Sequence, residues 1–147
     1  MFKHILIPID GSPVSAKAIA AGIALAKQSG AQVTGFMALD AVPAHLYKEG
    51  FAAEEQLLVE FERRRREAAR KHVAVVARAA HKAGVRFEAV VQAARTPYEG
   101  IVDVAHKRNC DLILMASHGR RGLARLTLGS VTDKVIQLSK VPVLVYR

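Results

Sequence analysis

The segment from Met115 to Ser130 concentrates the groups in this chain that are best suited to chemistry. It holds the glycines Gly119, Gly122 and Gly129, the arginines Arg120, Arg121 and Arg125, the serines Ser117 and Ser130, and His118. The apolar run Leu112-Ile113-Leu114 precedes it and reads as a buried strand, and Val131 to Ile136 follows and reads as the first turns of a helix. A glycine-bearing loop that ends at a helix N-terminus delivers backbone N–H groups to an anion, and phosphate is the usual one. The arginines add charge-assisted donors. Ser130 reads as the N-cap of the helix, and its hydroxyl and the amides behind it would meet a phosphate. The sequence places no acid or nucleophile in a defined relation to His118, so it reads as structural rather than catalytic.

A second polar turn, Asp10-Gly11-Ser12, follows the apolar run His4 to Ile9. In open α/β sheets, ligands sit beyond the carboxyl ends of the strands, where the strand order reverses. If the first and fourth strands are neighbours, Asp10 and the glycine loop face one crevice. Asp10 would there take a ribose hydroxyl, an amino group or a metal-bound water, or else satisfy the first helix's amides. Neither G-x-x-x-x-G-K-[ST] nor a G-x-G-x-x-G after the first strand occurs, which excludes a P-loop NTPase and the dinucleotide fingerprint. His4, His72, His81 and His106 have no metal-ligand spacing.

The elements that must position these turns alternate regularly. His4 to Ile9 is a strand buried on both faces. Ser12 caps a helix with Pro13 at its first position, and Gly30 ends it. Ala31 to Leu39 is the second strand. The pattern lapses from Asp40 to about Ala52, a loop of functional length that contains His45 and Tyr47. A long helix runs from about Ala53 to Ala83, with Leu57, Leu58, Phe61, Ala68, Val76 and Ala80 as its apolar stripe. Its run Arg63 to Arg66 reads as a solvated face, supported by the pairs Glu60–Arg64 and Glu62–Arg66. Val85 to Ala93 is the third strand. Thr96, Pro97 and Glu99 form a capping box for the helix that ends near Lys107 and Arg108. Asp111 to Ala116 is the fourth strand, Ser130 to Ser139 the last helix, and Val141 to Tyr146 the last strand. Pro142 marks that strand as an edge, whose apolar remainder needs cover; pairing with a second copy would provide it. Alternating apolar strands and helices argue for a parallel sheet with helices on both faces.

Composition sets outer bounds. A chain of 147 residues, 51% of them hydrophobic, reads as one globular domain spanning 1–147. No apolar run reaches the ~20 residues of a membrane span. Phe2-Lys3-His4 leads straight into the first strand without a signal-like pattern, and the lone Cys110 reads as a buried thiol, so a cytoplasmic location is expected. The net charge of +9 favours anionic partners, but aromatic residues are only 5% and no zinc-finger or aromatic RNA-binding pattern is present, which disfavours nucleic acid.

Along its whole length the chain resembles a universal stress protein of the UspA family. The resemblance rests on Ile7-Pro8-Ile9-Asp10-Gly11-Ser12, Ala116-Ser117-His118-Gly119-Arg120-Arg121-Gly122, Leu128-Gly129-Ser130-Val131 and Val141-Pro142-Val143-Leu144-Val145. The nucleotide-binding branch carries G-x2-G-x9-G-[ST]; here Gly119, nine intervening residues and Gly129-Ser130 match, while Ala116 replaces the first glycine. Alanine adds a methyl and adopts positive φ less readily. The resemblance implies an adenine nucleotide alpha hydrolase-like fold, a five-stranded parallel open sheet in the order 3-2-1-4-5. It also implies a homodimer through the last strand, Val141 to Tyr146, and bound ATP or AMP, with or without Mg2+. Gly119, Gly129, Ser130 and Val131 would then surround the phosphates and ribose, within a loop that also holds Ser117, His118, Arg120 and Gly122. Pro8, Ile9 and Asp10 would line the base side, Ala38 would offer backbone hydrogen bonds to adenine, Met115 would lie near the ribose, and Ala116 would stand at the position of the motif's first glycine.

The leading expectation is a nucleotide-binding stress or signalling module, with at most weak ATPase activity. The alternatives are a dimeric interaction protein with a degenerate pocket and a very slow ATPase.

Overall fold

The structure is a computed structural model that describes residues 1–39, 42, 52–118 and 128–147. Its elements are β1 (His4–Pro8), α1 (Pro13–Ser29), β2 (Gln32–Leu39), α2 (Ala52–Ala83), β3 (Phe87–Ala93), α3 (Pro97–Lys107), β4 (Leu112–Ala116), α4 (Ser130–Leu138) and β5 (Val143–Tyr146). The five strands are all parallel, in the order β3-β2-β1-β4-β5. This is the order implied by the resemblance, and it makes β1 and β4 neighbours.

Strand alternation divides the core into two layers. Ile5, Ile7 and Ile9 face α1 and α2, where Ile19, Ile23, Val73 and Val76 cover them. Leu6 points the other way, with Phe36, Val90, Ile113 and Met115, under α3 and α4. Cys110 lies in this second layer at 4% exposure, and burial pushes its thiol up to about 11, so it is a packing residue rather than a nucleophile.

Local signals account for most element boundaries. Ser12 Oγ accepts the Ser15 amide at 3.1 Å, Pro13 opens α1, and Gly30 closes it at φ 68° with its N–H on the Ala26 carbonyl. The α3 capping box is half made. Thr96 Oγ1 accepts the Glu99 amide, but the Glu99 carboxylate is taken by Arg95.

The structure corrects three sequence expectations. The stripe of α2 runs through Ala69, Val73, Val76 and Ala80, whereas Ala68 is exposed and Leu57 is 58% exposed. The last strand begins at Val143, and Pro142 contributes only its carbonyl, which accepts the Ile113 amide at 3.0 Å. Ser130 is the first helical residue of α4, and its N-cap is Gly129.

A polar cluster sits at the opposite end of the sheet from the loops. His4 Nε2 is 2.7 Å from Thr34 Oγ1, and Gln32 Nε2 is 3.2 Å from His4 Nδ1. Burial holds His4 below its ordinary value of 6.5, and this outweighs the nearby Asp111 carboxylate. The unfolded chain therefore binds a proton at His4 more readily than the folded one, so this contribution to stability is full above 6.5 and is lost as pH falls below it. The melting temperature is expected to drop between pH 6.5 and 5, and His4→Gln should flatten that slope at a cost of about 1 kcal/mol at neutral pH. Thermal unfolding at a series of pH values tests this; an equal slope in both proteins would refute it.

Candidate functional site

The end of β1 is tied down before it turns. The Ile9 amide donates to the Phe36 carbonyl at 2.7 Å, holding Ile9 against β2. Asp10 Oδ1 then accepts the Ser12 amide at 2.8 Å, closing a small side-chain turn around Gly11. Ser15, 4% exposed, reaches back with its hydroxyl 3.5 Å from the Pro8 carbonyl. The result is a turn that carries Asp10 at the carboxyl edge of the sheet.

The end of β4 is cinched to the start of α4. The Gly129 amide donates to the Ser117 carbonyl at 2.7 Å, and the Thr132 hydroxyl to the Ala116 carbonyl at 2.9 Å. The two chains approach so closely that a Cβ on Gly129 would stand 2.9 Å from Ser117 O and 3.2 Å from His118 Cα. The first intrahelical bond of α4 runs from the Asp133 amide to the Gly129 carbonyl, so the amides of Ser130, Val131 and Thr132 precede the helical ladder. With Gly129 as the cap, the Ser130 hydroxyl is exposed and has no hydrogen bond among the described residues. Ser117 Oγ lies 2.9 Å from His118 Nδ1, while His118 Nε2 is buried without a partner among the described residues.

Three unladdered amides and the Ser130 hydroxyl thus stand at the start of α4, which meets the strand end that carries His118. A buried polar atom without a partner is costly, and an anion at this junction would satisfy it. Gly119, Arg120 and Gly122, with Arg121 and Arg125, lie outside the described residues, as do His45 and Tyr47.

The other expected residues divide by accessibility. Pro8, Asp10, Ala38, Ala116 and Val131 are half-buried at the carboxyl edge or at the start of α4. Ile9 and Met115 have buried side chains, at 4% and 5% exposure, in opposite core layers, so their backbones are what they present to the edge. Ala116 ends β4 in regular pairing with Tyr146 and has no positive φ, so glycine's special conformation is not required there. Sequence reading missed the roles of Ser15 and Thr132; the available signal was their place in the first turn of each helix.

The basic run of α2 behaves largely as a solvated face. Arg63 and Arg64 hydrogen-bond Glu60 and hold its carboxyl down at about 2, and Arg66 pairs with Glu62. Arg65 departs from that expectation: it turns inward, with its side chain 10% exposed, and meets Glu62 at 2.6 Å. Among the described residues no three His, Cys, Asp or Glu side chains gather as a metal site, and no helix is long and apolar enough to cross a membrane.

Comparison with known proteins places this geometry. The model of the universal stress protein family matches residues 1–147. Universal stress protein YxiE of Bacillus subtilis is 34% identical, over the full length of both chains. The structure of MJ0577, a universal stress protein of Methanocaldococcus jannaschii, superposes with a TM-score of 0.83 at 28% identity, covering 99% of this chain and 95% of that one. The structure of the Archaeoglobus fulgidus universal stress protein in complex with dAMP has a TM-score of 0.68 at 16% identity, covering 100% and 98%. A match over every residue, together with the 3-2-1-4-5 sheet and the cinched β4–α4 junction, means that this chain belongs to the universal stress protein family.

Proposed function

We propose that this chain is an adenine-nucleotide-binding module, taking ATP or AMP in the crevice beyond β1 and β4 and serving in stress response or signalling rather than turnover. The observation that carries the reading is the β4–α4 junction, where the 2.7 Å Gly129–Ser117 bond holds the unladdered amides of α4 against the strand end that carries His118, whose Nε2 is buried without a partner among the described residues. An Archaeoglobus relative of the same fold is known in complex with dAMP, which supports the nucleotide class.

In this reading Gly129, Ser130 and Val131 hold phosphate and ribose, aided by Ser117, His118, Gly119, Arg120 and Gly122. Pro8, Ile9 and Asp10 line the base side, the Ala38 backbone meets adenine, Met115 lies near the ribose, and Ala116 stands where the motif has its first glycine. A Mg2+ ion, where present, would be held mainly by phosphates and water and needs few protein ligands. The proposed dimer pairs through β5, which lies at the sheet edge with Leu144 exposed. The expected location is the cytoplasm.

Isothermal titration calorimetry tests the nucleotide reading. Saturable binding of ATP and AMP is expected, weakened roughly tenfold by Ser130→Ala, which removes one phosphate donor worth about 1.4 kcal/mol. Adenosine, lacking phosphate, should be insensitive to that substitution. Absence of heat with ATP and AMP at about 1 mM nucleotide would refute the reading.

A further inference from the structure

Gly11, between Asp10 and Ser12, adopts φ +77°, a conformation that side chains other than glycine's rarely take. One face of this residue is open to solvent. The other is occupied from far along the chain, by His72 of α2. A Cβ built on Gly11 would stand 2.6 Å from His72 Cε1, 2.9 Å from Nε2 and 3.0 Å from Nδ1. The imidazole therefore presents its nitrogen-bearing edge to the turn and fills the space that a side chain at position 11 would claim.

The ring's position is set by the core. Ala69 and Val76, one turn to either side of His72 on α2, are 1% and 4% exposed against the sheet, and Val73 beside it is 8% exposed. Residues at these spacings share a helix face, so α2 cannot rotate His72 away without unpacking that layer. The ring itself is exposed and contributes little burial.

Within the turn, Asp10 Oδ1 accepts the Ser12 amide. Gly11 has the widest backbone freedom of any residue, and its φ and ψ set how the Ser12 amide meets the Asp10 carboxylate. A planar ring packed against its bare Cα restricts that freedom. We propose that His72 is a positioning residue for the nucleotide site, bracing the Asp10–Ser12 turn so that Asp10 faces the base and ribose of the ligand. This rests on the nucleotide reading above.

Calorimetry with AMP on the wild type, His72→Ala and His72→Phe tests the brace. His72→Ala should weaken AMP about five-fold, and His72→Phe, which restores a planar ring, should return affinity to within about two-fold of wild type, where tenfold corresponds to about 1.4 kcal/mol. Ligand-free melting temperatures should agree within about 2 °C, because an exposed residue contributes little to stability. The His72 Cε1–H resonance, assigned by its loss in His72→Phe, should shift as AMP saturates the wild type. Unchanged affinity in His72→Ala overturns the inference while leaving the nucleotide reading intact. So does a phenylalanine variant as weak as alanine, a resonance unmoved by bound AMP, or a loss of affinity matched by a fall of several degrees in melting temperature. A wild-type protein that binds no AMP overturns both.

Discussion

Gly129→Ala is expected to abolish measurable binding of ATP and AMP while leaving the protein folded. The added methyl would lie 2.9 Å from Ser117 O and 3.2 Å from His118 Cα, and both are backbone atoms that cannot swing aside. Gly129 itself sits at φ −61° and ψ 145°, which alanine adopts without strain, so the effect comes from space alone. Relief requires the α4 terminus to move away from β4, which opens the 2.7 Å Gly129–Ser117 bond and displaces the amides of Ser130 and Val131. Overpacking of this kind costs about 1–3 kcal/mol of stability. Phosphate binding suffers more, because its donors must converge within a few tenths of an ångström. Gly30→Ala is the matched control. It stands at φ +68° with nothing within 4 Å, so it should lose about 1 kcal/mol to backbone strain and bind nucleotide as the wild type does. Calorimetry and thermal unfolding of both variants separate these effects. A Gly129→Ala protein with wild-type affinity would show that the junction does not shape the site.

Features governed by neighbours in sequence were legible from sequence. The Asp10-Gly11-Ser12 turn, the Ser12-Pro13 helix start and the apolar strands all formed as their residue types dictate. Strand order was not legible in this way, since alternation of strand and helix permits several orders; only the family resemblance implied 3-2-1-4-5. The phase of α2 was misread because alanines stand at both 68 and 69, and a methyl-bearing stripe can be drawn through either. Tertiary packing against β2 and β3 selects Ala69. The α4 cap was misread because serine outranks glycine at N-caps by intrinsic preference. The close approach of Gly129 to Ser117 O overrides that preference, and only a residue without a side chain fits. The contact of His72 with Gly11 left no trace in the sequence. Its partner lies on another element, and a single histidine on a helix has no periodicity to betray it. The burial of His118 Nε2 was equally hidden, since it depends on how β4 and α4 meet.

Phe36→Ala should produce the largest loss of stability among these variants without damaging the nucleotide site. Phe36 is 1% exposed at the centre of β2 and packs with Leu6, Val90, Ile101 and Ile113 beneath α3. Its ring tip lies where a Cβ on Gly100 would come within 2.7 Å, so helix and ring are in direct contact. Truncation removes the ring's burial and leaves a cavity that a parallel sheet closes poorly, at about 3–5 kcal/mol. Against a total of about 5–15 kcal/mol this is a large fraction, and it should lower the melting temperature by about 10 °C. The tie between Phe36 and the site runs through its carbonyl, which accepts the Ile9 amide at 2.7 Å. Alanine keeps that carbonyl, so AMP affinity measured well below the transition should stay within about two-fold of wild type. Gly100→Ala supplies an internal check. Its methyl would press on Phe36 Cζ at 2.7 Å in the native core, but that obstacle is gone in Phe36→Ala. The two substitutions should therefore cost less together than their separate losses add up to. Additive losses would place the ring away from α3. A collapse of affinity in Phe36→Ala would show that the core beneath β2, and not only its backbone edge, sets the geometry of the crevice.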